Sequence, residues 1–107
     1  MQISCRELRG YTIMMLEGDL DYTGIRELKS AILKMAREKS KNIILDFRHV
    51  SFIDSSGMGM LVSVSKELLG ITGKIGLIHV SDDILNLFKM TTVDKIVKLY
   101  DDEDDLD

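Results

Sequence analysis

The sequence predicts an α/β domain with a mixed sheet of four or five strands and helices packed mainly on one face. Segments rich in aliphatic and β-branched residues alternate with segments whose apolar residues recur every three or four positions. Two predicted strands precede the first predicted helix, so at least one strand pair is antiparallel. The chain has 107 residues, which is the length of a single domain.

Two strands and a helix are predicted in the first part of the chain. Residues 2–7 and 11–17 have the composition of strands, and a glycine-containing turn separates them. Residues 18–21, Gly-Asp-Leu-Asp, interrupt this pattern, and Asp21 or Thr23 is the expected N-cap of the first helix. The apolar residues of that helix share one face, and they are Ile25, Leu28, Ile32, Met35 and Ala36.

The second part of the chain repeats the alternation of strand and helix. Residues 42–47 form an apolar run typical of a strand covered on both faces, and residues 54–69 predict the second helix. Residues 74–80 predict another buried strand, and Ser81 is the expected N-cap of a third helix. Residues 93–99 predict a short helical turn and a last strand.

Negative charge is concentrated at the end of the sequence. Residues 101–107 carry six acids and no base, and the whole chain has a net charge of −4. The rest of the chain holds 12 acidic and 14 basic side chains, so its net charge is +2. We therefore predict a domain over residues 1–100 and an acidic, disordered tail over residues 101–107. A net charge of +2 over residues 1–100 is too small for the concentrated basic face of a nucleic-acid-binding protein, so we expect no direct nucleic-acid partner.

The sequence predicts a cytoplasmic protein without a membrane segment. Residues 2–7 lack the apolar core of a signal peptide, and the longest apolar stretch, residues 58–64, is too short to cross a bilayer. Cys5 is the only cysteine, so it forms no internal disulfide and no zinc site by itself. We expect neither a metal nor a cofactor.

No enzyme motif in the sequence is complete. There is no Walker A sequence and no Gly-x-Ser-x-Gly elbow, and residues 57–62 lack the third glycine of a dinucleotide loop. We therefore expect no catalytic activity. The alternative is an enzyme with Ser55 or Ser56 as its nucleophile, which requires His49 or His79 within hydrogen-bond reach of that serine.

The block Asp54-Ser55-Ser56-Gly57 opens the second predicted helix and has two interpretations. Asp and Ser are preferred N-cap residues, since their side chains accept hydrogen bonds from the free N–H groups of the first turn. A hydroxyl at that position also lies at the surface, where a kinase reaches it, and the helix N-terminus tolerates a phosphate. Spacing alone favours the cap, whereas the second interpretation makes the block a phosphorylation switch.

Helical spacing places one methionine beside these serines. With about 100° per residue, the predicted core side of the second helix consists of Met58, Leu61, Val62, Ser65, Leu68 and Leu69. Met60 falls on the opposite side, and we predict that it is exposed one turn from the serines. There it would offer a partner a flexible apolar contact.

Four segments, in the right order, resemble the STAS domain family. They are residues 18–21, residues 44–47 (Ile-Leu-Asp-Phe), residues 50–59 (Val-Ser-Phe-Ile-Asp-Ser-Ser-Gly-Met-Gly) and residues 87–96. Within that family the chain is most similar to the bacterial anti-sigma-factor antagonists. The resemblance covers nearly the whole chain, and it implies a mixed sheet of four or five strands with helices mainly on one side.

The resemblance also implies a regulatory mechanism. An unphosphorylated antagonist binds an anti-sigma factor that is also an ATP-dependent serine kinase, and this binding frees the sigma factor for transcription. The kinase then phosphorylates the serine after the aspartate, which is Ser55 here, with Ser56 as the fallback. This weakens the complex, and a PP2C-type phosphatase restores the active form.

The resemblance assigns roles to individual residues of a partner-binding surface. Asp54 would present the switching serine, with Ser56 next to it, and Asp19 and Asp21 would lie in a neighbouring loop. The glycines of the motif would let a partner's backbone approach closely, and they are Gly57 and Gly59. The alternative function is a non-switching STAS scaffold, or a soluble subunit of a signalling or transport assembly.

Overall fold

The computed structural model describes residues 1–39, 42–71 and 73–106. Its five-stranded sheet has the spatial order β1-β2-β3-β4-β5, so every strand lies beside its predecessor in the chain. The strands are β1 Gln2–Leu8, β2 Tyr11–Glu17, β3 Asn42–His49, β4 Lys74–Ile78 and β5 Lys98–Leu99. The β1–β2 pair is antiparallel and the other three pairs are parallel, which confirms the predicted mixed sheet.

Within the described residues, the helices all contribute to a core on one face of the sheet. They are α1 Ile25–Glu38, α2 Ser55–Gly70, α3 Asp82–Met90 and the short α4 Val93–Ile96. Phe47 of β3 and Phe88 of α3 meet edge to face in this core, with ring centroids 6.4 Å apart. The predicted one-sided packing is confirmed. No helix in this part of the chain is both long enough and apolar enough to span a bilayer.

A tight turn joins the first two strands. Arg9 and Gly10 both have positive φ angles, of 50° and 87°, and Leu8 pairs with Tyr11 across the turn. Two residues with positive φ make the kind of turn whose twist matches that of the flanking strands. The turn therefore sets the register of the hairpin.

The start of α1 differs from the prediction that Asp21 or Thr23 caps it. Gly24 is the N-cap residue, and no side chain caps this helix. The Asp21 carboxylate instead accepts a hydrogen bond from the Thr23 N–H at 3.0 Å, while the Asp21 carbonyl accepts one from the Gly24 N–H. Asp21 thus closes a turn just before the helix, a role that aspartate side chains fill as readily as capping.

The acidic C-terminal segment covers the second face of the sheet, so its predicted disorder is wrong for residues 101–106. Leu106 is 2% exposed and packs with Ile13, Ile44 and Ile78. A 3₁₀ turn at Glu103–Asp105 precedes it, with a capping box between the Asp102 and Asp105 side chains and main chain. The last residue of the predicted tail lies outside the described residues.

Basic side chains from the β1–β2 hairpin explain why the acids of this segment do not repel it into solvent. The Arg6 Nη2 atom lies 2.6 Å from the Glu103 Oε2 atom, and Arg9 donates to the Leu106 carbonyl at 2.9 Å. The sequence shows the run of acids, but it does not show that these two arginines, which are distant in sequence, lie next to it. The segment is held by the apolar side chain of Leu106, by the Arg6–Glu103 ion pair and by the hydrogen bond from Arg9.

Candidate functional site

Two loops meet at the carboxyl ends of β2 and β3. Leu20 and Ile53 form an isolated parallel bridge between them. The Leu20 N–H donates to the Phe52 carbonyl at 2.9 Å, and the Asp54 N–H donates to the Leu20 carbonyl at 3.3 Å. The loop that carries Asp19 and Asp21 is therefore fixed against the start of α2, and the two form one surface.

Gly57 makes this contact possible, because α2 approaches the first loop very closely there. A Cβ atom at this position would lie 2.4 Å from the Leu20 carbonyl oxygen and 2.8 Å from the Ile53 Cγ1 atom. Gly57 is buried, so its close neighbour is the chain's own backbone and not that of a partner. Gly59, in contrast, is exposed and has open space around it, as a partner-facing position requires.

Asp54 caps α2, and it engages one of the two serines. Its Oδ1 atom accepts hydrogen bonds from the Gly57 N–H at 2.9 Å and from the Ser56 hydroxyl at 2.6 Å. The Ser56 hydroxyl, followed by the Gly57 N–H, lowers the pKa of the Asp54 carboxyl below that of an ordinary aspartate. Ser55 is exposed at the first position of the helix, and no described side chain binds its hydroxyl. The structure thus distinguishes the two serines, which spacing alone did not.

The cap should make stability depend on pH. Because folding lowers the pKa of Asp54, its carboxylate stabilises the fold fully above the unfolded-state pKa of about 3.9. That contribution disappears as the pH falls through the lower pKa of the folded state. Asn also caps helices but does not titrate, so Asp54→Asn should lose stability relative to the wild type at pH 7 and lose less at pH 3. Urea unfolding of both proteins at the two pH values measures this, and an equal difference at both would contradict it.

Two exposed aromatic side chains, which no sequence motif indicated, lie in the bridged loops that carry the site. Tyr22 is 75% exposed and Phe52 is 51% exposed. They lie in the two bridged loops, where Tyr22 follows Asp21 and Phe52 comes two residues before Asp54. Aromatic residues in short polar loops, outside any periodic pattern, were the available signal. They give the surface an apolar component that a partner can bury.

Met60 does not belong to this surface, so the prediction that it is exposed is wrong. It is 5% exposed, and the buried side of α2 comprises Gly57, Met60, Leu61, Val64, Ser65 and Leu68. Leu69, predicted to face the core, is instead 69% exposed. Since α2 has apolar residues almost all round, its hydrophobic pattern does not define one face. The close approach at Gly57 orients the helix instead.

The two histidines are not arranged to activate a serine. His79 Nε2 lies 2.5 Å from Glu103 Oε1, and His49 is exposed at the end of β3. Among the described residues, no hydrogen bond joins either histidine to Ser55 or Ser56. The contact that a serine nucleophile would need is thus not formed.

The order of strands and helices and the capped Asp-Ser-Ser-Gly block lead to a comparison with known families. The STAS domain model matches residues 2–106, which includes the acidic segment. This chain belongs to the STAS domain family. The resemblance inferred from its motifs is confirmed, and the domain extends beyond the predicted boundary at residue 100.

Relatives of this STAS domain include two antagonists of anti-sigma factors. The anti-sigma F factor antagonist of Paenibacillus polymyxa is 27% identical over 104 residues, which cover 96% of this chain and 89% of the relative. The anti-sigma-B factor antagonist of Staphylococcus aureus is 31% identical over 74 residues, covering 69% of this chain and 68% of the relative.

A solved structure shows the same fold. The unphosphorylated form of the anti-sigma factor antagonist SpoIIAA superposes with a TM-score of 0.72 at 22% identity, covering 96% of this STAS domain and 91% of SpoIIAA. The phosphorylated form of the Bacillus SpoIIAA gives a TM-score of 0.70, also at 22% identity and with 96% and 95% of the two chains covered. The five-stranded mixed sheet is therefore the fold of this family.

Proposed function

We propose that this STAS domain is an anti-sigma-factor antagonist that binds its anti-sigma factor only while Ser55 is unphosphorylated. The observation that carries the proposal is the difference between the two serines. The Ser56 hydroxyl is held by Asp54 at 2.6 Å, whereas Ser55 is exposed at the first position of α2. The names of the two relatives support the choice of partner.

A phosphate on Ser55 would change the charge of the surface and leave the fold intact. The free N–H groups and the positive end of the α2 dipole accommodate a phosphate at the helix N-terminus. It would add roughly −1.5 to −2 charges to a surface that already carries the carboxylates of Asp54 and Asp21. Hydrogen bonds from the Thr23 hydroxyl and N–H lower the pKa of Asp21, and the nearby charge of Asp54 opposes this only weakly. Burying the phosphate charge against a partner costs more than burying a serine, so the complex weakens.

The partner-binding surface that we propose combines polar and apolar groups. Asp19, Asp54, Ser56 and Gly59 are its polar and backbone positions, together with Asp21 in the first loop. Because Gly57 and Met60 are buried, we leave them out of this surface. We further propose that the anti-sigma factor is itself the serine kinase, that a PP2C-type phosphatase reverses the reaction, and that all act in the cytoplasm.

Phosphorylation and binding are tested together with purified proteins. The anti-sigma factor kinase of the source organism should phosphorylate the wild type with ATP at Ser55, located by mass spectrometry, and should leave Ser55→Ala unmodified. Calorimetry without ATP should show that wild type and Ser55→Ala bind alike, and that the phosphorylated form and Ser55→Asp bind at least ~100-fold more weakly. Ser30→Asp, on the exposed side of α1, is the matched control and should bind normally.

Two results would overturn the proposal. A phosphate mapped to Ser56 would reverse the distinction between the serines. Undiminished binding by the phosphorylated form and by Ser55→Asp would favour the non-switching STAS scaffold, and Asp54-Ser55-Ser56 would then be a helix cap alone.

The exposed aromatic residues should contribute binding energy without contributing stability. We expect Phe52→Ala and Tyr22→Ala each to weaken binding by about 10–100-fold, because aromatic anchors dominate interfaces. Stability should change by no more than about 0.5 kcal/mol, as for other surface substitutions. Met90→Ala is the control, since Met90 is 81% exposed at the end of α3. If all three variants bind alike in calorimetry, the aromatic residues lie outside the interface.

A further inference from the structure

Three side chains from separate segments converge on the face of the sheet that the acidic segment covers. Asp46 is in β3, His79 directly follows β4, and Glu103 belongs to the 3₁₀ turn. One potential ligand atom from each lies within 4.8 Å of the other two. Since the three are far apart in sequence, no ligand spacing reveals them, which is why the sequence suggested no metal.

The Asp46 carboxylate is buried and only partly satisfied. The residue is 1% exposed, and its Oδ1 atom accepts a hydrogen bond from the Arg48 N–H at 2.9 Å. Its Oδ2 atom accepts no hydrogen bond from any residue that the structure describes. A buried carboxylate oxygen without a partner carries a large free-energy penalty unless a donor or a cation approaches it.

His79 has more contacts than its ring nitrogen can satisfy. Its Nε2 atom lies 2.5 Å from Glu103 Oε1 and 2.6 Å from Arg48 Nη2. A ring nitrogen has either a proton or a lone pair, so it cannot donate to the carboxylate and accept from the guanidinium at once. A cation resolves the conflict, because it binds both the lone pair and the carboxylate oxygen.

The charge around the cluster also favours a cation. Asp102 and Asp104 line the same cavity as His79 and Glu103. With Asp46, these make four carboxylates against the guanidinium groups of Arg6 and Arg48, which leaves a local charge of about −2 with neutral histidine. A divalent ion would neutralise this charge, and the exposed Arg48 side chain is free to turn away.

We propose that Asp46, His79 and Glu103 bind a divalent transition-metal ion of the zinc type, which fastens the acidic segment to the sheet. One imidazole nitrogen and two carboxylate oxygens suit Zn²⁺, whose fourth position water fills on the open side. Ligand atoms about 2.1 Å from a tetrahedral ion lie about 3.4 Å apart. His79 Nε2 and Glu103 Oε1, now 2.5 Å apart, must therefore separate by about 1 Å, and the other pairs, which lie within 4.8 Å, need to approach by no more than about 1.4 Å. The half-buried Glu103 side chain supplies that movement.

Calorimetric titration with Zn²⁺ tests the proposal on the metal-free 107-residue chain in a Cys5→Ser background, because Cys5 is an exposed thiol and thiols are themselves zinc ligands. One ion per chain should bind, and the melting temperature should rise with Zn²⁺ concentration. Glu103→Gln and His79→Asn should weaken binding by more than the roughly 10–100-fold that loss of an outer-sphere partner costs. Asn is chosen because His79 has a φ of 56°, which Asn tolerates.

His49→Asn is the matched control, since His49 is exposed at the end of β3 and outside the cluster. The His49→Asn variant should bind Zn²⁺ as tightly as the Cys5→Ser parent. In both proteins, added Zn²⁺ should slow the hydrogen exchange of residues 103–106. The proposal is overturned if no Zn²⁺ binds, if the Glu103 and His79 variants bind as well as their parent, or if the His49 variant loses binding equally.

Discussion

Gly57→Ala is expected to lower the free energy of unfolding by about 2–4 kcal/mol, a large loss for one methyl group. The added Cβ would lie 2.4 Å from the Leu20 carbonyl oxygen, well inside van der Waals contact. Neither side can give way cheaply, because the same carbonyl accepts the Asp54 N–H and Leu20 is completely buried. Urea unfolding monitored by circular dichroism measures the loss.

Gly59→Ala, two residues further along α2, is the control. No atom lies within 4 Å of a Cβ built there, and Ala is favoured over Gly in a helix by about 1 kcal/mol. This variant should therefore be as stable as the wild type or more so. Equal destabilisation by both substitutions would show that the loop carrying Leu20 does not rest against α2. The candidate site would then lack its support.

Leu106→Ala is expected to lower the free energy of unfolding by about 2–3 kcal/mol, the lower part of the range for buried leucines. Leu106 is 2% exposed between Ile13, Ile44 and Ile78, so truncation leaves those side chains without their cover. Leu69→Ala is the control for the same chemical change, because Leu69 is 69% exposed on α2. Chemical denaturation compares the two variants under identical conditions.

This comparison also decides between the two descriptions of the acidic segment. A disordered tail, as composition suggested, would make Leu106→Ala as harmless as Leu69→Ala. If the segment is docked, Leu106→Ala is markedly less stable than Leu69→Ala. The Leu106→Ala substitution should then also speed the hydrogen exchange of residues 103–106, whose protection depends on packing.

The elements of the sheet were predictable because their signals are local. Alternating apolar segments, the turn at Arg9 and Gly10, and the caps Asp54 and Ser81 all act within a few residues. The side chain of Ser81, for example, accepts the Ile84 N–H as predicted. The STAS motifs added the strand arrangement, which periodicity alone leaves open.

Features that depend on distant contacts were not predictable in the same way. The orientation of α2 depends on Gly57 meeting Leu20, and the helix's apolar pattern contains no trace of that contact. For this reason Met60 was placed on the wrong face. Similarly, in the sequence Leu106 is a single apolar residue among acids. Only the fold shows that Arg6 and Arg9 contact this segment.

The candidate site was predicted in part. The motif identified Asp54, Ser55 and Ser56, because capping and phosphate tolerance both arise from the chemistry of a helix N-terminus. The hydrogen bond that distinguishes Ser56 from Ser55 is revealed only by the three-dimensional structure. The same holds for the exposure of Tyr22 and Phe52, since burial in loops follows no periodic rule.

The sequential strand order has a consequence for how the chain folds. Each strand pairs with the strand before it, so the β1–β2 hairpin forms locally and each later strand adds to an existing edge. Assembly can therefore proceed from the N-terminus while the chain is still being synthesised. The contacts of Arg6 with Glu103 and of Arg9 with Leu106 each close a loop of 97 residues. Both contacts need residues 103–106, so neither can form until this segment has left the ribosome, whereas the hairpin and the following strands can pair before then.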